Sequence, residues 1–128
     1  MSIMPMMHAT DPAEEIRGKI GDLSGIKMIG PRVLCAIYVR PEMTKGGIII
    51  TNKTRDEDIY QGKIGLIVKT GVNVNADPDW FGDIKLEVGA WAGFRASDGY
   101  SLIVNGVNCR ILEDVRIQCT ASHPDYIW

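Results

Sequence analysis

Few side chains in this sequence have the types and the spacing that catalysis requires. His8 and His123 lie near the two ends of the chain, so a histidine-centred acid–base or nucleophilic site is not expected. The carboxylates stand beside one another, as in Asp56-Glu57-Asp58, and such neighbours in strands and loops usually diverge into solvent. The sequence therefore favours a binding protein over an enzyme.

Phosphate and metal chemistry are equally poorly supported. The run Thr44-Lys45-Gly46-Gly47 lacks the spacing and the following helix of a phosphate-binding loop. Cys35, Cys109 and Cys119 are odd in number and widely spaced, which matches no zinc or redox motif. We interpret them as small buried thiols, although Cys119 could form a disulfide between subunits. No cofactor and no metal are expected.

One apolar run stands out in the polar stretch 40–62, and it reads Gly46-Gly47-Ile48-Ile49-Ile50. Leaving three β-branched side chains exposed would forfeit roughly 1.5–3 kcal/mol of burial each. The two glycines before them give the backbone freedom to turn. The pattern predicts a hydrophobic hook that is buried in a partner. An ordinary short strand in the protein's own core remains the alternative.

Composition bounds the class of protein. The chain has 128 residues, 45% of them apolar and 23% charged, which is typical of one globular domain. Its net charge of −2 gives no electrostatic reason to bind nucleic acid or an anionic membrane. No apolar run approaches the ~18 residues of a membrane span, and the methionine-rich start lacks the features of a secretory signal. We expect a cytoplasmic protein.

The first two dozen residues predict a short helical extension. Asp11 can cap a helix, Pro12 suits its first turn, and Glu14 completes a capping box. Ile16 and Ile20 then fall on one face. Such a helix is too short to be stable alone, so it must dock on a neighbour or on its own domain, or fray.

After this extension the period becomes that of strands, with apolar runs at 32–39, 62–68, 86–94, 100–104 and 107–112. Asn105-Gly106 between the last two runs predicts a two-residue hairpin, because both positions accept positive φ. Short strands with regular turns indicate a small β-barrel or sandwich. In the polar connection 71–83, Trp80 and Phe81 are either exposed contact residues or a cap on the core.

Taken in order, these elements resemble the GroES-like co-chaperonins, or chaperonin-10 family, over roughly residues 25–117. The run Ile26-Lys27-Met28-Ile29-Gly30-Pro31-Arg32-Val33-Leu34 is similar to that family's first strand. Gly46-Gly47 with the three isoleucines is similar to its Gly-Gly-Ile-Val-Leu. Asn105-Gly106 and Glu113-Asp114-Val115 match its terminal hairpin and acidic turn. The shared order and spacing carry the resemblance.

The resemblance implies an irregular all-β barrel with a long mobile loop, assembled as a homo-oligomeric ring of seven. It implies that the loop caps a GroEL-type chaperonin, which handles the nucleotide, and thereby assists protein folding. Gly46 and Gly47 would be hinges and Ile48, Ile49 and Ile50 the anchors. Trp80 and Phe81 would lie in the roof of the ring. Residues 1–24 and 118–128 would be extensions of the domain.

Some features depart from the family pattern. Pro31 and Ala90 stand where aspartates are usual, and the two extensions are long. Divergence with intact motifs suggests a virus-encoded relative, active in the cytoplasm of the host. A second function therefore stays open: a decoration, cement or connector protein of a virion, whose loop and termini would clamp neighbouring capsid or tail proteins.

Overall fold

One antiparallel sheet of six strands dominates the part of the chain that the computed structural model describes, residues 11–40, 49, 51 and 63–126. The strands are β1 Arg32–Ile37, β2 Ile64–Thr70, β3 Trp91–Gly93, β4 Tyr100–Val104, β5 Val107–Glu113 and β6 Cys119–Ala121. The helices are α1 Pro12–Ile20 and the single turn α2 Pro78–Phe81, with 3₁₀ turns at Asp114–Arg116 and Pro124–Tyr126. The predicted all-β fold with a short N-terminal helix is confirmed.

Strand β1 lies inside the sheet, whose order is β4-β5-β1-β2-β3-β6. Its side chains alternate between two clusters of buried residues. Leu34 and Ala36 belong to one cluster, whereas Val33, Cys35 and Ile37 belong to the other. Because successive side chains of a strand point to opposite faces, both faces of the sheet must be covered.

Different segments cover the two faces. Helix α1 packs on one face of the sheet. We call the buried residues on that face the helix-side cluster, which also contains Tyr38, Ile64, Leu66, Val68, Trp91, Val104 and Cys109. The connection between β2 and β3 packs on the other face. We call the buried residues there the connection-side cluster, which also contains Ile67, Leu86, Ala92, Phe94, Leu112 and Ile117. The sheet is therefore the middle layer of the domain.

Helix α1 forms as its sequence predicts and docks on its own sheet. The Asp11 carboxylate accepts a hydrogen bond from the Glu14 backbone N–H at 3.4 Å, and Ala13 and Ile20 are buried in the helix-side cluster. Asn105 fastens the other end, since its side-chain amide donates to the Ile20 carbonyl at 2.6 Å. That amide satisfies a carbonyl which the end of a helix leaves without an internal partner.

The same Asn105 makes the predicted hairpin between β4 and β5. Asn105 has φ of 50° and Gly106 has φ of 80°, the pair of positive values that a type I′ turn requires. The hairpin prediction is confirmed, and its turn residue has a second contact that the pattern alone did not predict.

Two predicted boundaries differ from the structure. The strand predicted at 86–94 is wrong in its first half, because Leu86 pairs through its backbone with the Asn75 side chain and Gly89 has φ of 98°. At the C-terminus, Cys119–Ala121 pairs with Trp91–Gly93 as strand β6, so the sheet extends into the segment predicted as an extension. The division into 1–24, 25–117 and 118–128 stays a prediction.

We predict that Gly71→Ala destabilises the fold. A Cβ at Gly71 would overlap the carbonyl oxygen of Gly30 and lie 3.3 Å from that of Arg32, and backbone atoms cannot turn aside as the end of a side chain can. Overpacking of this kind costs about 1–3 kcal/mol. Urea unfolding at one fixed protein concentration should show a lower midpoint than that of the unmodified protein.

Gly18→Ala is the matched control. Position 18 lies inside α1, and a Cβ there has nothing within 4 Å. The same added methyl group should therefore stabilise the protein, by about 0.5–1 kcal/mol. Equal midpoints for the two variants would contradict the close approach of Gly71 to Gly30.

Candidate partner-binding site

The segment that carries the hook leaves the sheet at the end of β1 and returns at the start of β2. These two strands pair in antiparallel register, with Ile37 opposite Gly65. Beyond that pair, the Tyr38 backbone N–H donates to the Ile64 carbonyl at 3.2 Å. The two ends of the segment are therefore held side by side at one end of the sheet, which fixes where the segment begins and ends.

Ile49 is the described member of the predicted hook. Its side chain is 71% exposed, and the next described residue, Thr51, is also exposed. Ile49 belongs to neither buried cluster, although its backbone forms an isolated β-bridge. The other predicted hook residues, Gly46, Gly47, Ile48 and Ile50, lie outside the described residues.

A buried group of polar and aromatic side chains lies beneath the base of this segment. The Tyr38 ring meets the Trp91 ring edge-on, with centroids 5.7 Å apart. The Tyr38 hydroxyl donates to the Asp125 carboxylate at 3.0 Å, and Asp125 is 5% exposed. The sequence analysis missed this contact, because 87 positions separate the two residues and no local pattern links them.

Trp80 and Phe81 lie on α2 and have different environments. The Asp77 carboxylate caps this turn by accepting from the backbone N–H groups of Asp79 at 3.0 Å and Trp80 at 3.3 Å. Trp80 is then 60% exposed, whereas Phe81 packs against the connection-side cluster. Of the two interpretations, exposure fits Trp80 and a cap on the core fits Phe81.

Asn75 holds the connection that carries α2, and sequence reasoning missed it as well. Its side-chain amide and carbonyl both bond to the Leu86 backbone at 2.8 Å, and its own backbone N–H donates to the buried Asp114 carboxylate at 3.2 Å. Asn75 has φ of 67°, a conformation that asparagine tolerates better than most residues. An asparagine in a polar connection was the one available signal.

The family comparison decides between the possible identities of this β fold. Residues 25–121 match the family described as the chaperonin 10 kDa subunit. The chain belongs to this family. No curated protein matches the chain.

Membership confirms the resemblance and the GroES-like β fold that it implies. The family match extends from residue 25 into strand β6 and spans the whole sheet. In general terms it implies a co-chaperonin rather than an enzyme, with a GroEL-type chaperonin as partner and subunits that form homo-oligomers. Within the described residues, no helix is long and apolar enough to cross a membrane. The cytoplasmic compartment stays a prediction.

The described part of the chain shows no cluster of side chains of the kind that holds a metal, and its buried arginine has a structural environment. Over the described residues, no three His, Cys, Asp or Glu side chains gather into a metal site. The Arg110 guanidinium is buried over the Phe94 ring, 5.3 Å from its centroid, and donates to the Ala96 carbonyl at 3.0 Å. Burial lowers the pKa of Arg110, and its contacts give it a structural role.

The three cysteines divide into two environments. The prediction of buried thiols is confirmed for Cys35 and Cys109 and is wrong for Cys119, which is exposed on β6. Burial, with a smaller effect of the nearby Cys109, raises the pKa of Cys35 to about 12. Burial likewise raises the pKa of Cys109 to about 11. A disulfide between subunits through Cys119 stays a prediction.

We therefore predict that one thiol per chain reacts quickly with a disulfide reagent at pH 8. A thiolate is the reactive form. The raised pKa values keep Cys35 and Cys109 protonated at pH 8, and their burial keeps the reagent away from them. A colorimetric titration should count one fast thiol in the native protein and three in denaturant. Cys119→Ser should abolish the fast reaction, and a fast reaction that survives this change would contradict the burial of the other two.

Proposed function

We propose that the chain is a ring-forming co-chaperonin subunit that caps a GroEL-type chaperonin with an apolar hook, Ile48-Ile49-Ile50, hinged at Gly46 and Gly47. The observation that supports the proposal is the exposed side chain of Ile49, which extends from a segment anchored at both ends by β1 and β2. Family membership over residues 25–121 supplies the class of partner.

The energetics favour many weak contacts over one strong contact. Burying an isoleucine side chain in an apolar groove yields about 1.5–3 kcal/mol, and ordering the segment on binding consumes part of that gain. One hook would therefore bind weakly. In a ring, the first hook to bind raises the effective concentration of the others, so the assembly binds firmly and can still be released.

The ends of the sheet support assembly into a ring. The outer strands β4, Tyr100–Val104, and β6, Cys119–Ala121, contain no charged residue. Isolated proteins seldom leave such edges open, because the backbone groups can pair with another chain. We infer a closed ring, with seven subunits as the family resemblance implies, and we assign the exposed Trp80 to its roof contacts.

The alternative, a structural component of a virion, uses the termini as clamps on neighbouring subunits. Helix α1 and the turn Pro124–Tyr126 contribute buried residues to their own domain instead. This packing favours the co-chaperonin.

We predict that Ile49→Asp abolishes capping. A carboxylate cannot enter an apolar groove without a large desolvation cost, and the ring repeats that cost in every subunit. A loss of 1.4 kcal/mol per site already weakens one contact about tenfold. The measurement is nucleotide-dependent binding of the purified ring to a GroEL-type chaperonin, followed by recovery of a refolded client enzyme.

Ile29→Asp is the matched control for this change. Ile29 lies outside the strands of the sheet and is 77% exposed, close to the 71% of Ile49, so both variants add the same charge at similarly exposed positions. The control should still cap. Undiminished capping by Ile49→Asp would remove the hook from the mechanism, whereas absence of capping by the unmodified protein, with recovery of the chain in purified virions, would favour the alternative.

We predict that native mass spectrometry of the purified protein shows a heptamer at micromolar subunit concentration. The uncharged outer strands give the physical reason, because ring closure leaves none of them unpaired. A stable monomer would contradict the ring. A trimer or a pentamer would favour the virion component.

A further inference from the structure

We propose that Asp125, in the C-terminal 3₁₀ turn, positions the hook-bearing segment by accepting a hydrogen bond from Tyr38 at the base of that segment. The inference rests on the proposed function, because the position of the base affects binding only if the hook engages a chaperonin. It concerns a residue beyond the family match, which ends at residue 121.

Tyr38 occupies a particular place in the chain. It directly follows β1, and its backbone N–H donates to the Ile64 carbonyl at 3.2 Å, which closes the base of the segment. Its ring is 5% exposed and packs edge-on against Trp91. The ring is therefore held by packing, and the hydroxyl adds a directional constraint.

The partner of that hydroxyl is a buried carboxylate. The Tyr38 hydroxyl donates to Oδ1 of Asp125 at 3.0 Å. The Asp125 backbone N–H donates to Nδ1 of His123 at 3.1 Å, so this nitrogen acts as an acceptor and is no donor to Oδ2 of Asp125, 3.6 Å away. A buried carboxylate is costly unless hydrogen bonds compensate it, and Tyr38 supplies one.

Packing holds the C-terminal turn in place independently of this hydrogen bond. Pro124 is among the most deeply buried residues of the protein, and β6, just before it, pairs with β3. The position of the turn is thus fixed by packing, and the hydrogen bond from Tyr38 to Asp125 restrains the Tyr38 side chain relative to it. Two residues that are 87 positions apart in the sequence are joined directly at the point where the hook segment begins.

Loss of the hydroxyl should leave β1 paired with β2 and β5 but remove one constraint on the chain that leaves β1. The residues after Tyr38 would then sample more directions, and ordering them on a partner would cost more. Every subunit of a ring repeats that cost. The affinity of the whole ring for the chaperonin should therefore fall by more than the loss of one hydrogen bond in a single subunit would cause.

The test compares Tyr38→Phe with Tyr126→Phe. The first change removes the hydroxyl that contacts Asp125 and keeps the ring against Trp91, whereas Tyr126 follows Asp125 in the same turn and its side chain is 55% exposed. The measurement is the ring concentration that half-saturates a GroEL-type chaperonin in the presence of ATP. Tyr38→Phe should raise it about tenfold or more, and Tyr126→Phe should leave it within about twofold.

Two further comparisons separate positioning from loss of stability. Asp125→Asn keeps an acceptor oxygen and should cap nearly normally, whereas Asp125→Leu removes it and should behave as Tyr38→Phe does. Ile20→Val loses a buried methylene from the same helix-side cluster, and it should cap normally despite a comparable fall in urea midpoint. Hydrogen exchange at the Tyr38 amide should quicken in Tyr38→Phe and not in Ile20→Val.

The outcomes distinguish the two proposals. Failure of the unmodified ring to cap would overturn the proposed function and this inference with it. Normal capping and unchanged exchange of the Tyr38 amide in Tyr38→Phe, with the unmodified ring active, would overturn this inference alone. Equal loss of capping in Ile20→Val would show that Asp125 acts through stability and would also overturn it.

Discussion

The burial of β1 on both faces is the constraint on which the rest of the structure depends. Its side chains fill the helix-side cluster and the connection-side cluster in strict alternation, so neither face of the sheet can be left to solvent. A single layer of strands cannot satisfy this requirement. Helix α1 covers one face, and the segment joining β2 to β3 covers the other. Both segments are thus parts of the core, although their sequences are largely polar.

Local chemistry predicts the parts of the fold that depend on neighbouring residues. The cap at Asp11, the strand in the apolar run 32–39 and the turn Asn105-Gly106 each depend on residues within a few positions, and each forms as predicted. Contacts between distant positions could not be predicted in this way. The Leu86 backbone was expected to join a strand, but the Asn75 side chain forms its hydrogen bonds instead. The asparagine in a polar connection was the one local signal, and nothing in the sequence links it to Leu86.

The candidate site shows the same division between local and distant contacts. The apolar run at Ile48-Ile49-Ile50 is visible in the sequence because it contrasts with its polar flanks, and Ile49, its described member, is exposed. The hook stays a prediction. The base of the segment was not predictable. It depends on the pairing of Tyr38 with Ile64 and with Asp125, and the second of these contacts joins residues that no periodicity relates.

The apolar run and the contacts at the base of its segment bear on how a capping protein could bind tightly and still be released. Under the proposed function, the apolar hook sets the gain from each contact, and the anchoring of its base sets how much of that gain is consumed in ordering the segment. The proposed hook lies within the range that matches the family, whereas Asp125 lies beyond it. On this proposal, the affinity of the ring would be adjusted through the C-terminal turn while the residues proposed to contact the chaperonin stay the same. Since every subunit would repeat the adjustment, a small change at the base would have a large effect on the assembly.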